Sequence, residues 1–314
     1  MIHTTEFKAM GCRIFAAIDT PNGSSPVELE DLPNWFEGWE QSLSRFRTDS
    51  ELNEVNRSAG RPIHVSKPFR EVLKVAEQME RDSGNLVTPA IHDQVVAAGY
   101  GTSYDRMPDS ITGSMEQDHG EVYPLSDIQV EPKTRTIQLP FDCHLDFGGV
   151  AKGWAAHQAA GRLKPRGPAL VNAGGDISIT GRMSEGEYWS VGVADPTNPS
   201  DNLEVLKLGR CGVATSGTDY RRWKKDGVWQ HHIIDPRTGL PAITDILSAT
   251  VIAPDVMHAE MNAKVAVILG SDAALNWLDA DPSLAGMLVL KSGRVVLSQR
   301  MEKYLWRMND RSSQ

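Results

Sequence analysis

The stretch Val228-Trp-Gln-His-His-Ile-Ile-Asp-Pro-Arg-Thr-Gly-Leu-Pro-Ala242 constrains this chain more than any other. A β-prone apolar run carries a histidine pair into Asp235, and the chain then turns at Pro236 and Gly239. Such a strand end holds side chains at the rim of a sheet, where loops bind ligands and do chemistry. Three upstream segments belong with it: Asp146-Phe-Gly-Gly-Val-Ala-Lys-Gly153, Leu170-Val-Asn-Ala-Gly-Gly-Asp176 and Val213-Ala-Thr-Ser-Gly217. Each sets glycine beside Asp, Lys, Thr or Ser, a composition suited to close backbone approach to a phosphate-bearing ligand.

The remaining pattern fixes the fold class. Trp35, Phe36, Trp39, Leu43 and Phe46 recur at helical spacing, so an amphipathic helix is expected over Pro33–Phe46. Ser66 reads as the cap of a second helix, with Pro68 in its first turn and Phe69, Val72, Leu73, Ala76 and Met79 on its apolar face. Helices are also expected over Val150–Leu163, Asp255–Leu269 (capped by Asp255) and Ser271–Leu278. Strands are expected at Cys12–Ile18, Thr134–Leu139, Ala169–Asn172, Ile177–Thr180, Trp189–Val193, Gln230–Ile234 and Ala249–Ile252. A hairpin follows around Lys291-Ser-Gly293. Strands and helices mix without strict βαβ alternation, which predicts an α+β fold. At 314 residues the chain can form one large domain spanning 1–314. Gly99–Glu121, rich in Gly, Ser, Asp and Met, reads as a surface excursion.

A formal net charge of -9 argues against a nucleic-acid or anionic-membrane partner. Cys12, Cys143 and Cys211 are odd in number, far apart and without metal-ligand spacing, so free thiols are expected. The N-terminal residues lack a charged region followed by an apolar one, and no segment approaches the roughly 20 apolar residues of a membrane span. These features point to the cytoplasm.

The glycine-bearing segments do not stand alone. With Met10-Gly11, Leu43-Ser-Arg-Phe-Arg47, Ser50-Glu-Leu-Asn-Glu-Val-Asn56, Thr250-Val-Ile-Ala-Pro254 and a helix closing at Leu269-Gly270, they form an ordered set. That set resembles the ApbE family of FAD:protein FMN transferases over most of the chain. The resemblance implies cleavage of FAD, transfer of FMN to a Thr or Ser hydroxyl of a partner protein, and release of AMP. Many such relatives are exported and lipid-anchored, which this N-terminus does not suggest.

The resemblance also implies roles for residues. His232, in His232-Ile-Ile-Asp-Pro236, would be the general base, with Ile233 beside it at the ligand; imidazole titrates near neutrality and can take a hydroxyl proton. His231 alternates to the other strand face. Lys152, near a helix N-terminus, would bind phosphate; a solvated helix lysine is the bland alternative. Asp146 would accept from the nucleotide or cap its helix. Phe46 would stack on adenine or belong to its helix's apolar stripe. Met10 would lie near the flavin, while Asn172, Gly174 and Gly175 would line the FAD pocket. Thr215, Ser216 and Gly217 would face the ligand as a hydroxyl-rich loop. After Gly217 two registers remain open: one aligns Thr218 with the family's Asp, the other Asp219-Tyr220.

Mg²⁺ would be held by Glu260 and the Gly149 carbonyl. At the position of the family's Thr ligand stands Lys264, and an ammonium cannot ligate Mg²⁺. Glu260 and Lys264 also stand in the favoured order for an intrahelical ion pair. Thr88 likewise replaces a family Asp. Two alternatives to the transferase therefore remain: an FAD pyrophosphatase using water at the same site, and an FAD-binding protein without chemistry.

Overall fold

A computed structural model describes residues 1–306 except residues 22, 109, 113–119 and 199. Its frame is an eight-stranded sheet: β1 (Ile2–Ala9), β2 (Cys12–Asp19), β3 (Ala169–Ala173), β4 (Asp176–Ile179), β5 (Cys211–Gly217), β6 (Ile246–Ala253), β7 (Ala285–Leu290) and β8 (Val295–Leu297). The strands lie in chain order and every neighbouring pair is antiparallel. The helices are carried in the connections. The β2–β3 link, for example, holds Leu32–Leu43, Lys67–Asp82 and Ala151–Leu163. This is the expected α+β architecture.

Strand periodicity sorts the sheet residues into two cores. Ile14, Ala16, Ile18, Val171, Ala214 and Val251 face the main core, with the helices. Ala17, Leu170, Ile177, Val213 and Ile252 face a second core, covered by the hairpin Trp189–Ala194/Asn202–Leu208 and by Met301 and Leu305. The alternation follows from the pleat, which sends successive side chains to opposite faces.

Two helices matter for the site. Ala151–Leu163 packs on β3 and β4, and Val256–Leu269 packs on β5 and β6. The second is apolar nearly all round, and Val256, Ala259, Met261, Ala263, Val265, Ala266, Val267 and Ile268 are all buried. A helix of that kind must be central. Its expected cap holds: the Asp255 side chain accepts from His258 N. Ser66 caps Lys67–Asp82 through Phe69 N.

Several expectations change. The first amphipathic helix is Leu32–Leu43, so Phe46 lies beyond it and is not part of its stripe. Thr215-Ser-Gly217 is no loop; it is the end of central strand β5, because Val213 and Ala214 bury on opposite faces. The expected strand Gln230–Ile234 divides into Val228–His231 and Ile234–Asp235, with His232 and Ile233 at the break. Edge strand β1 and helices Glu51–Arg57 and His92–Ala97 were not anticipated. The segment Gly99–Glu121 is more than an excursion at its described residues. Tyr100 is buried against Trp223, and Ser110–Ile111 pairs in parallel with Lys224 and Lys225. The cysteines are free, as expected. No described helix is long and apolar enough to cross a membrane.

Candidate functional site

A cavity of about 510 Å³ opens where β5, the start of Ala151–Leu163, the inner face of Val256–Leu269 and the loops after Gly217 and His231 meet. That size suits a small-molecule site. It gathers Phe46, Asp146, Gly149, Lys152, Gly174, Thr215, Ser216, Gly217, His232, Ile233, Glu260 and Lys264 into one lining. Three expected residues are not in it. Met10 occupies the two-residue β1–β2 turn at φ 52°, and its N–H donates to Glu40; Gly11 lines the cavity in its place. Asn172 braces the β3–β4 turn by accepting from Gly175 N, and neither residue reaches the cavity. Gly174 does reach it, beside Cys12; a Cβ there would come within 2.7 Å of the Cys12 Cβ.

The charged end of the cavity is built on the two central helices and β4. Asp146 caps the short turn Phe147–Gly149 by accepting from Gly148 N, and its other oxygen pairs with Arg45 Nε at 2.9 Å. Both oxygens thus have protein partners. Lys152 pairs with Asp176 and stands 3.8 Å from Glu260 Oε1. Burial pulls the Lys152 pKa down, but the Asp176 and Glu260 carboxylates outweigh it and hold the ammonium charged. Glu260, only 1% exposed, accepts the Gly153 N–H at 3.2 Å on Oε2, while its buried Oε1 makes no hydrogen bond and is ion-paired with the Lys264 ammonium at 3.1 Å. Burial and the Asp176 charge push the Glu260 carboxyl up, while the two ammonium groups pull it back. Gly153 leaves room for this carboxylate, because a Cβ there would sit 2.4 Å from Glu260 Oε2 and force it to shift.

These residues do not fit the Mg²⁺ implied by the resemblance. An octahedral ion needs oxygen donors at about 2.0–2.1 Å. The oxygen it would take, Glu260 Oε1, already faces Lys264 at 3.1 Å and Lys152 at 3.8 Å. Neither ammonium has a lone pair to give.

The histidines separate cleanly. His231 Nε2 lies 3.0 Å from the Ala242 carbonyl oxygen, outside the cavity lining. His232 sits at the strand break and lines the cavity, and its buried Nδ1 has no hydrogen-bond partner. Burial, then the charge of Arg221, lowers its pKa well below the ordinary value of 6.5. The ring is therefore neutral near pH 7, with a nitrogen lone pair free to accept a proton. Asp235 and Arg237 brace each other with a paired contact at 2.7 Å.

The opposite rim is aromatic. Phe46 is 40% exposed and lies under the Arg45 guanidinium, 4.1 Å from its ring centre. Arg45 also covers Tyr100 and donates to its carbonyl at 2.7 Å. Asp176, expected with its turn to line the pocket, does so as the partner of Lys152, whereas the sequence assigns no role to Arg45 or Tyr100. Arg45 lies within Leu43-Ser-Arg-Phe-Arg47, and Tyr100 is one of two tyrosines, with Tyr104, in a polar segment without periodicity. Thr218 is buried and donates to the Ile246 carbonyl, whereas Asp219, Tyr220 and Arg221 line the cavity. Thr88, also buried, accepts from Ala90 N.

A model of the ApbE family matches residues 10–288. Treponema pallidum FAD:protein FMN transferase is 29% identical over 303 residues, covering 90% of this chain and 83% of that protein. The Escherichia coli K12 protein of the same name is 26% identical, with 92% and 84% covered. Among solved structures, the ApbE protein of Thermotoga maritima superposes with a TM-score of 0.86 at 22% identity, covering 98% of this chain and all of that one. Flavin transferase ApbE from Vibrio cholerae gives 0.81 at 22% identity, covering 97% and 99%.

Proposed function

The chain belongs to the ApbE family, and we propose that it is an FAD:protein FMN transferase acting at the cavity above. The observation that carries this reading is convergence. Segments scattered from Gly11 to Lys264 meet around one cavity with a neutral histidine, half-buried cations and an aromatic rim.

In the reaction, the hydroxyl oxygen of an acceptor Thr or Ser attacks the FMN-side phosphorus of FAD. The new O–P bond forms, the bridging P–O bond breaks, and AMP leaves with its electrons. His232 accepts the hydroxyl proton. Its lowered pKa keeps it free to do so, and its unpartnered Nδ1 leaves a ring nitrogen uncommitted. Lys152, Lys264 and Arg221 offset charge on the phosphates. Phe46 offers its exposed face to the adenine. Thr215, Ser216, Gly217 and Ile233 complete the wall along the flavin nucleotide.

The test is incubation of the full chain with FAD and a protein acceptor, followed by chromatography. Equal yields of AMP and acceptor-bound FMN support the transferase. AMP with free FMN would make it a pyrophosphatase. FAD bound and recovered intact would leave a binding protein.

A further inference from the structure

We propose that Lys264 is a built-in counter-charge for the ligand's diphosphate, so that FAD binding here needs no divalent cation. This inference rests on reading the cavity as an FAD site. It starts from the mismatch between the Glu260 surroundings and a metal ion.

The lysine is seated rather than loose. Its stem passes Gly149 so closely that a Cβ on that glycine would lie 3.0 Å from Lys264 Cε. Its ammonium is 3.1 Å from Glu260 Oε1 and 3.3 Å from the Glu260 carbonyl oxygen. Two groups on its own helix therefore fix the charge at the cavity wall. Lys152 brings a second ammonium to the same carboxylate oxygen.

An i,i+4 Glu–Lys pair is ordinary on a solvated helix face. This pair is different. Its carboxylate is almost fully buried, it interrupts a helix otherwise apolar nearly all round, and its ammonium lines the cavity. Burying charged groups costs desolvation energy that a single ion pair does not reliably return. A ligand that is itself anionic changes that balance, because each ammonium then has a second partner. The lining is charge-balanced in an acidic chain: Arg45, Lys152, Arg221 and Lys264 face Asp146, Asp176, Asp219 and Glu260, while Arg13 is taken up by Glu6. The chain as a whole carries -9.

A divalent ion would have to displace a seated ammonium or sit beside two of them, and like charges a few ångströms apart repel strongly in a partly buried site. A lysine in that place supplies less charge than a metal and cannot template oxygen geometry. It is, however, always present.

The experiment is an FAD titration by calorimetry on the purified full chain, in EDTA and in Mg²⁺. The expected dissociation constants agree within about threefold, well under one decade of affinity. Lys264→Met should weaken binding in EDTA by about tenfold or more, the scale of one lost charge-assisted contact. Lys264→Arg, which keeps the charge, should bind nearly as wild type in EDTA. Lys264→Thr should weaken binding in EDTA and recover affinity in Mg²⁺. A wild-type protein that loses more than about tenfold in EDTA would overturn the counter-charge while leaving the FAD site in place. So would a folded Lys264→Met that binds FAD like wild type in EDTA. Failure to bind FAD in either buffer would bring down the site reading itself, and the counter-charge with it.

Discussion

The two ends of the cavity are made from different material. The charged end stands on regular structure: Lys152 near the start of one buried helix, Glu260 and Lys264 inside another, and Asp176 at the first position of β4. The aromatic rim stands on connections: Phe46 after a helix has ended, Tyr100 in an irregular segment, and Tyr220 after β5. Glu260 is 1% exposed, whereas Phe46 is 40% and Tyr220 72% exposed. The difference teaches that the charged side chains stand on the frame of the fold, whereas Phe46 and Tyr220 stand outside it and only Tyr100 of the rim is buried. Helices and strands hold groups more tightly than loops do, and phosphate chemistry depends on positioning.

His232 stands between the two ends, and its removal should have the largest effect. His232→Ala is expected to cut transfer to an acceptor protein by roughly 10²–10⁴-fold with FAD affinity largely kept. His231→Ala, which loses contacts to Ala242 O and Ile233 N but removes no side chain from the cavity lining, should be milder. The pH profile sharpens this. The folded-state pKa of His232 is lowered well below 6.5 by burial and by Arg221. The ring stays neutral, and able to accept a proton, as pH falls through 6.5. The acid limb of kcat/KM should therefore lie below pH 6.5. The same depression contributes stability that is present above the unfolded pKa and lost as pH falls toward the folded one. An acid limb at or above 6.5 would take His232 out of the base role.

The next effect separates the ends by stability. Glu260→Gln leaves the Lys264 ammonium without its carboxylate and weakens the hold on Lys152. Breaking a buried pair from one side typically costs about 3–5 kcal/mol. Urea unfolding should show a lower midpoint with an unchanged slope. If Glu260→Gln unfolds at the wild-type midpoint, the charged end is not a structural element and the contrast with the rim collapses.

The sequence was most legible where periodicity and glycine act together. The helix after Gly148-Gly149, the β3–β4 turn at Gly174-Gly175, and the Glu260/Lys264 pair one turn apart are local facts that pattern reveals. Phe46 was harder, because its spacing from Leu43 continues the helical stripe although the helix stops one residue before Ser44. β5 was read as a loop at Thr215-Ser-Gly217, since polar residues at the end of a buried strand look like a turn when the cavity they face is not in view. Tyr100 and Arg45 were illegible as a pair. Their contact spans 55 residues and depends on how the Gly99 segment folds back under Trp223. Asp176 as the partner of Lys152, 24 residues away, needed the sheet to bring the two together.

The smallest effect tests the rim alone. Phe46→Ala should weaken FAD binding by roughly 1–3 kcal/mol if the ring stacks on adenine, by the scale of base–aromatic stacking in nucleic-acid proteins. Stability should hardly move. The ring is 40% exposed and touches Arg45 and Tyr100, not the main core. Affinity for FMN, which has no adenine, should be unchanged, so calorimetry with both ligands isolates the stacking contact. Phe46→Tyr, which keeps an aromatic face, should restore most of the FAD affinity. Two outcomes would break the comparison between the ends. Equal losses for FAD and FMN would mean that Phe46 acts by shaping the cavity. A marked drop in unfolding midpoint would mean that the rim, too, is part of the frame.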